Sequence, residues 1–108
     1  MSIREHLTAF VESHPHGWDH GDWIGLLQAL DEDGVDVSDP DGLGLQLEST
    51  RLGWELRRRG VPGLGPKRID AVVDRFGTLW SLKQASAQEI AEIPTIHKSL
   101  AEKLSDAL

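Results

Sequence analysis

Residues Gly60 to Phe76 read GVPGLGPKRIDAVVDRF, a tight turn that feeds directly into a helix. Val61 and Leu64 are apolar anchors around the reversal. Gly63 and Gly65 are residues that take φ > 0 at low cost and let the backbone come close to another molecule. Pro66 suits the first helical position, where its missing N–H removes no hydrogen bond. The amides that follow have no intrahelical acceptor, and the positive end of the helix dipole lies behind them. Lys67 and Arg68 add side-chain charge at the same point, so the stretch has the makings of a phosphate site. Ile69, Val72, Val73 and Phe76 recur at i, i+3, i+4 and i+7, which buries one face of the helix, and Gly77 ends it.

The run V-P-G-L-G-P-K-R-I resembles the helix-hairpin-helix motif of DNA repair and recombination proteins, whose pattern is a small apolar residue, Pro or similar, Gly, an apolar residue, Gly, then a helix. In that family the hairpin amides and the basic residues after them hold a backbone phosphate without reading bases. The resemblance therefore implicates Gly63, Leu64, Gly65, Lys67 and Arg68.

A degenerate copy of the motif follows. Val61-Pro62-Gly63-Leu64-Gly65 recurs 32 residues later as Ile93-Pro94-Thr95-Ile96-His97, and Ile69, Val72 and Phe76 recur as Ala101, Leu104 and Leu108. The chain thus resembles a tandem pair of hairpin units, similar to those of the Holliday-junction branch-migration protein, the bacterial nucleotide-excision nuclease and the structure-specific excision nucleases. The resemblance spans residues 43–108. Thr95 and His97 stand where the pattern wants glycines, so this turn neither reaches φ > 0 cheaply nor brings its backbone as close to a phosphate. Two readings stay open for it. Either Thr95, His97 and Lys98 form a second, weaker DNA contact, with His97 meeting phosphate when protonated, or the hairpin is kept for packing through Ile96, Leu100 and Leu104.

The remainder reads as helices. Ser2 and Glu5 make a capping-box pattern ahead of Ile3, Leu7, Phe10 and Val11, which predicts a helix over 3–13 stopped by Pro15. Trp23, Leu26, Leu27 and Leu30 predict a second over about 20–31, with Asp19 as N-cap and Gly34 as terminator. Ser38 or Asp39 can cap a third that starts near Pro40 and runs to about Arg59. At about 100° per residue, Leu43, Leu47 and Trp54 fall on one side of it and Leu45, Leu52 and Leu56 on the other, as for a helix packed on two sides. Thr78 begins a short helix carrying Leu79, Trp80 and Leu82, and Ser86 with Glu89 forms a further capping box before Ile90. The expected fold is all-α: an acidic N-terminal helical region, 1–42, and a tandem helix-hairpin-helix domain, 43–108.

Composition sets the limits. The chain has 108 residues, 39% of them apolar, enough for a core without staples, and no cysteine. No apolar run approaches a membrane span and the N-terminus lacks signal-peptide layout, so no membrane contact and a cytoplasmic location are expected. The net charge of −7 is unevenly spread. Residues 1–50 hold eleven acids against one base, Arg4, whereas residues 51–108 hold ten bases against seven acids. The acidic half is either a solvated surface or a means of repelling DNA and turning the basic half toward it.

His14, His16 and His20, with Asp19 and Asp22 beside them, are candidate metal ligands by residue type. Asp19 has a simpler use as an N-cap, so the segment reads as a turn and neither metal nor cofactor is expected. No cysteine nucleophile, supported Ser-His-Asp set or nuclease segment is present, so enzymatic activity is not expected. The resemblance implies sequence-independent DNA binding, to duplex or junction, accessory to repair or recombination. Arg51, Arg57, Arg58, Arg59 and Arg75 extend the positive surface. A protein-interaction or dimerisation module on the same fold is the alternative, with the four tryptophans, Trp18, Trp23, Trp54 and Trp80, as anchors or as core.

Overall fold

A computed structural model describes all residues from Met1 to Leu108, and the chain is all-α, with seven helices and no strand. They are α1 (Ile3–Ser13), α2 (His20–Glu32), α3 (Pro40–Arg59), α4 (Pro66–Phe76), α5 (Leu79–Gln84), α6 (Ala87–Ile90) and α7 (Lys98–Ala107). None is long and apolar enough to cross a membrane.

The chain divides into two compact units, Met1–Thr50 and Arg51–Leu108. This boundary lies inside α3, eight residues beyond the 42/43 division expected from sequence, and it coincides with the change from acidic to basic composition. The physical reason is that α3 does not break where its sequence resemblance begins. Its first half stays with α1 and α2: Leu45, Gln46, Ser49 and Thr50 line a groove with Ile3, Arg4 and Leu7, and Gly44 faces the Trp23 ring. Residues from Arg51 onward belong to the second unit, where Leu52 and Leu56 are core. The buried residues of α3 are therefore divided both along its length and by side: at about 100° per residue Leu43 and Leu47 stand roughly opposite Leu52 and Leu56, as expected. Leu43 and Leu47 are buried in the first half, Leu52 and Leu56 in the second, while Leu45 is 58% exposed and Trp54 is only partly covered.

In the first unit each helix end is satisfied by a short-range device. The Ser2 hydroxyl accepts from the Glu5 amide at 3.2 Å, and Asp19 and Asp22 form a reciprocal capping box at the start of α2. Gly34, at φ 81°, closes α2 in a Schellman arrangement, with the Val35 amide reaching the Leu30 carbonyl at 2.9 Å and the Gly34 amide reaching Asp31 at 3.0 Å. Asp39 rather than Ser38 caps α3, its carboxylate accepting from the Gly42 amide at 3.1 Å. Leu7, Phe10, Val11, Leu26 and Leu30 are the buried residues of α1 and α2.

The second unit is built on one core. The first hairpin supplies Leu52, Leu56, Val61, Leu64, Ile69 and Val72, the connector α5 supplies Leu79 and Leu82, and the second hairpin supplies Ile90, Ile93, Ile96, Leu100, Ala101 and Leu104. Leu82, Ile90 and Leu104 are fully buried. Truncating any of the three to Ala is worth about 2–5 kcal/mol, because a void replaces packed methyl groups. The sequence repeat is thus a packing repeat: equivalent apolar positions of both hairpins meet in one interior. No tryptophan is in the core; Trp18, Trp23 and Trp54 are partly covered and Trp80 is 71% exposed.

Candidate nucleic-acid interface

The first turn is held by a hydrogen bond from the Leu64 amide to the Val61 carbonyl at 3.0 Å, with Pro62 and Gly63 between them. Gly63 has φ 87°, so this is a type II turn with Pro at its second position and Gly at its third. Gly65 differs from expectation. Its φ of −82° and ψ of 179° are ordinary extended values, and it serves as N-cap of α4. Of the two turn glycines, only Gly63 therefore needs to be glycine for its dihedral. What Gly65 contributes is the lack of a side chain: a Cβ there would meet nothing within 4 Å, so the backbone faces open space.

The start of α4 is left open. Gly65 has no side chain to cap with, Pro66 has no N–H, and no side-chain cap is made. The first helical hydrogen bond runs from the Ile69 amide to the Gly65 carbonyl at 3.0 Å. The Lys67 and Arg68 amides precede it and point out of the helix end with the dipole behind them. Lys67 is exposed and makes no ion pair, so its ammonium stands free beside these amides. Leu64, which the resemblance implicates as a phosphate contact, is instead core: its side chain is 8% exposed and its amide is spent on Val61.

Arg68 also departs from the sequence reading. Its Nε donates to the Thr95 carbonyl at 2.8 Å and its Nη1 to the Gly63 carbonyl at 3.2 Å. The guanidinium is thereby engaged with the backbone of both turns, a destination that proximity in sequence could not reveal.

The second turn repeats the first in outline. The Ile96 amide donates to the Ile93 carbonyl at 2.9 Å and the Ala101 amide to His97 at 3.0 Å, matching Leu64–Val61 and Ile69–Gly65. Two features differ. No non-glycine residue has positive φ, so Thr95 cannot adopt the type II geometry, and the Pro94–Thr95 peptide is flipped relative to Pro62–Gly63. His97 takes the N-cap place of Gly65 and fills the helix end itself, its Nδ1 accepting from the Leu100 amide at 3.1 Å. The α7 N-terminus is therefore internally satisfied where the α4 N-terminus is not. Lys98 is exposed at the first position of α7 and makes no ion pair.

The wider positive surface is partly neutralised. Glu55, only 7% exposed, pairs with Arg58 at 3.6 Å and Arg59 at 3.4 Å. Arg58 also lies over the Trp54 ring, and Arg59 donates to the Ala107 carbonyl at the end of α7. Arg75 pairs with Glu92 at 3.6 Å. The Glu55 pairs were available to a sequence reading as i,i+3 and i,i+4 neighbours on one helix. Arg57 remains exposed and unpaired.

The histidines of the first unit do not converge. His14 is directed at the Phe10 carbonyl at 2.8 Å and stacks on the Phe10 ring, and no grouping of His, Asp and Glu in the chain has metal-binding geometry.

The family model described as a SAM-like helix-hairpin-helix tandem matches residues 59–108, and this part of the chain is a tandem helix-hairpin-helix domain. The same region is similar to proteins named UvrABC system protein C. The match to that of Symbiobacterium thermophilum is 46% identical over 58 residues, 54% of this chain and 9% of the relative. To that of Photobacterium profundum it is 54% identical over 48 residues, 44% of this chain and 8% of the relative. The chain thus covers less than a tenth of the length of these relatives. No solved structure matches it significantly.

Proposed function

We propose that the second unit binds DNA through backbone phosphates, without reading sequence, as a non-catalytic module accessory to DNA repair or recombination in the cytoplasm. The observation that carries this reading is the open N-terminus of α4. Backbone amides of Lys67 and Arg68, a Cβ-free Gly65 and the unpaired Lys67 ammonium converge where a phosphate oxygen would be held. Phosphate contacts of this kind position a protein on a duplex and carry no base information. Residues 1–50, with eleven acids and one base, have the wrong sign for such a role. Likeness to the UvrABC system protein C of several bacteria draws the module toward repair.

A second reading, docking onto a protein partner, draws on Trp80, which at 71% exposure offers a large apolar surface. The two separate in one titration series against duplexes of unrelated sequence, a single strand and a four-way junction. Phosphate binding predicts equal affinity for duplexes of unrelated sequence and no effect of Trp80→Ala. An absence of binding to every form at low salt would leave only the protein-partner reading.

A further inference from the structure

We propose that Arg68 is a positioning residue that locks the two hairpin turns to one another and holds the phosphate-binding turn in shape, rather than a phosphate ligand. The inference rests on the DNA-binding reading and assigns Arg68 its part in it.

The geometry is reciprocal. Counting 32 residues along, Gly63 corresponds to Thr95 and Arg68 to Leu100. Arg68 reaches Thr95 of the other turn, and Leu100 reaches back to Gly63, its Cδ1 3.5 Å from where a Cβ on Gly63 would stand. Each helix thus sends the residue three beyond its N-cap across to the third position of the opposite turn. One crossing contact is polar and the other apolar.

The polar one pins the same peptide in both turns. The Gly63–Leu64 peptide is fixed at its amide by Val61 and at its carbonyl by Arg68 Nη1. The Thr95–Ile96 peptide is fixed at its amide by Ile93 and at its carbonyl by Arg68 Nε. The first of these peptides lies one residue before the Leu64–Gly65 peptide, so its plane constrains the direction of the backbone that faces a phosphate. Two carbonyl oxygens are brought to one guanidinium, whose charge offsets their partial negative charges. A planar fork with several fixed donors serves two acceptors at once, whereas an ammonium on a flexible stem holds no such geometry.

Arg68→Lys is therefore the decisive variant, because it keeps the charge and removes the fork. For a phosphate ligand the exchange keeps a contact and leaves affinity close to wild type. For the lock, duplex affinity falls by about tenfold, from loss of two carbonyl hydrogen bonds. The slope of log affinity against log salt stays that of wild type, since no phosphate contact is lost. Lys67→Ala, measured alongside, lowers that slope by about one. A second readout needs no DNA: amide NMR shifts of Leu64 and Ile96 move in Arg68→Lys and stay in place in Lys67→Ala. A helical circular-dichroism spectrum is required of each variant, and the amide readout decides the lock for the folded protein. Wild-type affinity of Arg68→Lys together with unmoved Leu64 and Ile96 amides overturns the proposal, as does a loss of one slope unit in Arg68→Ala with affinity preserved in Arg68→Lys. A wild-type protein that bound no duplex would instead remove the DNA-binding reading on which the role depends.

Discussion

The Arg68 guanidinium and the Thr95 carbonyl, 27 residues apart in the chain, are joined by a 2.8 Å hydrogen bond. The bond connects the first residues of α4 to the turn that precedes α7, and its partner bond to Gly63 closes the link within the first turn. A basic residue beside a phosphate-type turn has thus been used for the protein's own backbone, while its neighbour Lys67 is left free. The two turns share a hydrogen-bond outline and differ in what occupies their helix ends, so the same substitution should act differently in each.

Gly63 and Gly65 should respond oppositely to Ala. At Gly63 the positive φ of 87° makes any side chain strained, and Gly63→Ala is expected to lower stability by about 1–3 kcal/mol. At Gly65 the dihedrals are ordinary and a Cβ meets nothing, so Gly65→Ala should leave the melting temperature nearly unchanged and weaken duplex binding by crowding the anion. Thermal unfolding and a DNA titration of the two variants check this. Equal destabilisation by both would contradict the assignment of the strained position.

His97 should behave as an N-cap. His97→Ala is expected to cost about 1 kcal/mol and His97→Ser much less, because Ser also accepts from a third-position amide. His97→Gly removes the ring while the α7 amides become available, so duplex affinity is expected to hold or rise as stability falls slightly. Binding lost in His97→Gly would show that the imidazole itself contacts DNA.

Much of this was legible in the sequence, and the pattern of what was not has a physical basis. α4, its turn and its open start follow from the local run Gly63-Leu64-Gly65-Pro66-Lys67, the N-cap at Asp19 from its residue type, and the capping box at Ser86 from the glutamate three residues on, whereas at Ser2 only the bond from the Glu5 amide forms. The dihedral of Gly65 was not legible, since a glycine in sequence does not say whether its φ or its missing Cβ is being used. Arg68 could not be placed because its shorter bond goes to Thr95, a partner that only tertiary structure brings near. Leu43 and Leu47 lie opposite Leu52 and Leu56 on α3 as the projection predicts, but Leu45 and Trp54 are not buried with them, because a helical projection presumes one environment along the whole helix, whereas the two halves of α3 belong to different units.

Asp33 ties α1 to the end of α2 and should give the first unit an acid-sensitive contact. Its carboxylate accepts from His6 Nε2 at 2.6 Å and from the Met1 amino group at 3.2 Å. The hydrogen bond from His6 first, and the Met1 ammonium second, hold the Asp33 carboxyl below its ordinary value of 3.8. Because the folded-state value is depressed, the contribution is present above the unfolded value and is lost as pH falls through the folded one. Asp36, held low mainly by the Ser38 backbone amide, has the same sign. The stability difference between wild type and Asp33→Asn is therefore expected near neutral pH and should vanish below the usual carboxylate range. Thermal melts at stepped pH give the comparison, and a difference that grew on acidification would reverse the sign.

The histidine-rich turn should not need metal. His14 is committed to Phe10 by a hydrogen bond and a stacking contact, so a chelator is expected to leave the melting temperature unchanged. One equivalent of copurifying metal, lost when His14, His16 and His20 are replaced together, would overturn that assignment.

Duplex binding followed from low to moderate salt, for wild type and Lys67→Ala, counts the phosphates held at the start of α4. Two to four phosphate contacts predict a log–log slope of about −2 to −4 for wild type, shallower by about one unit in the variant, with unrelated sequences giving the same line. A wild-type affinity indifferent to salt, or a Lys67→Ala line that coincides with wild type, would contradict a phosphate held at the start of α4.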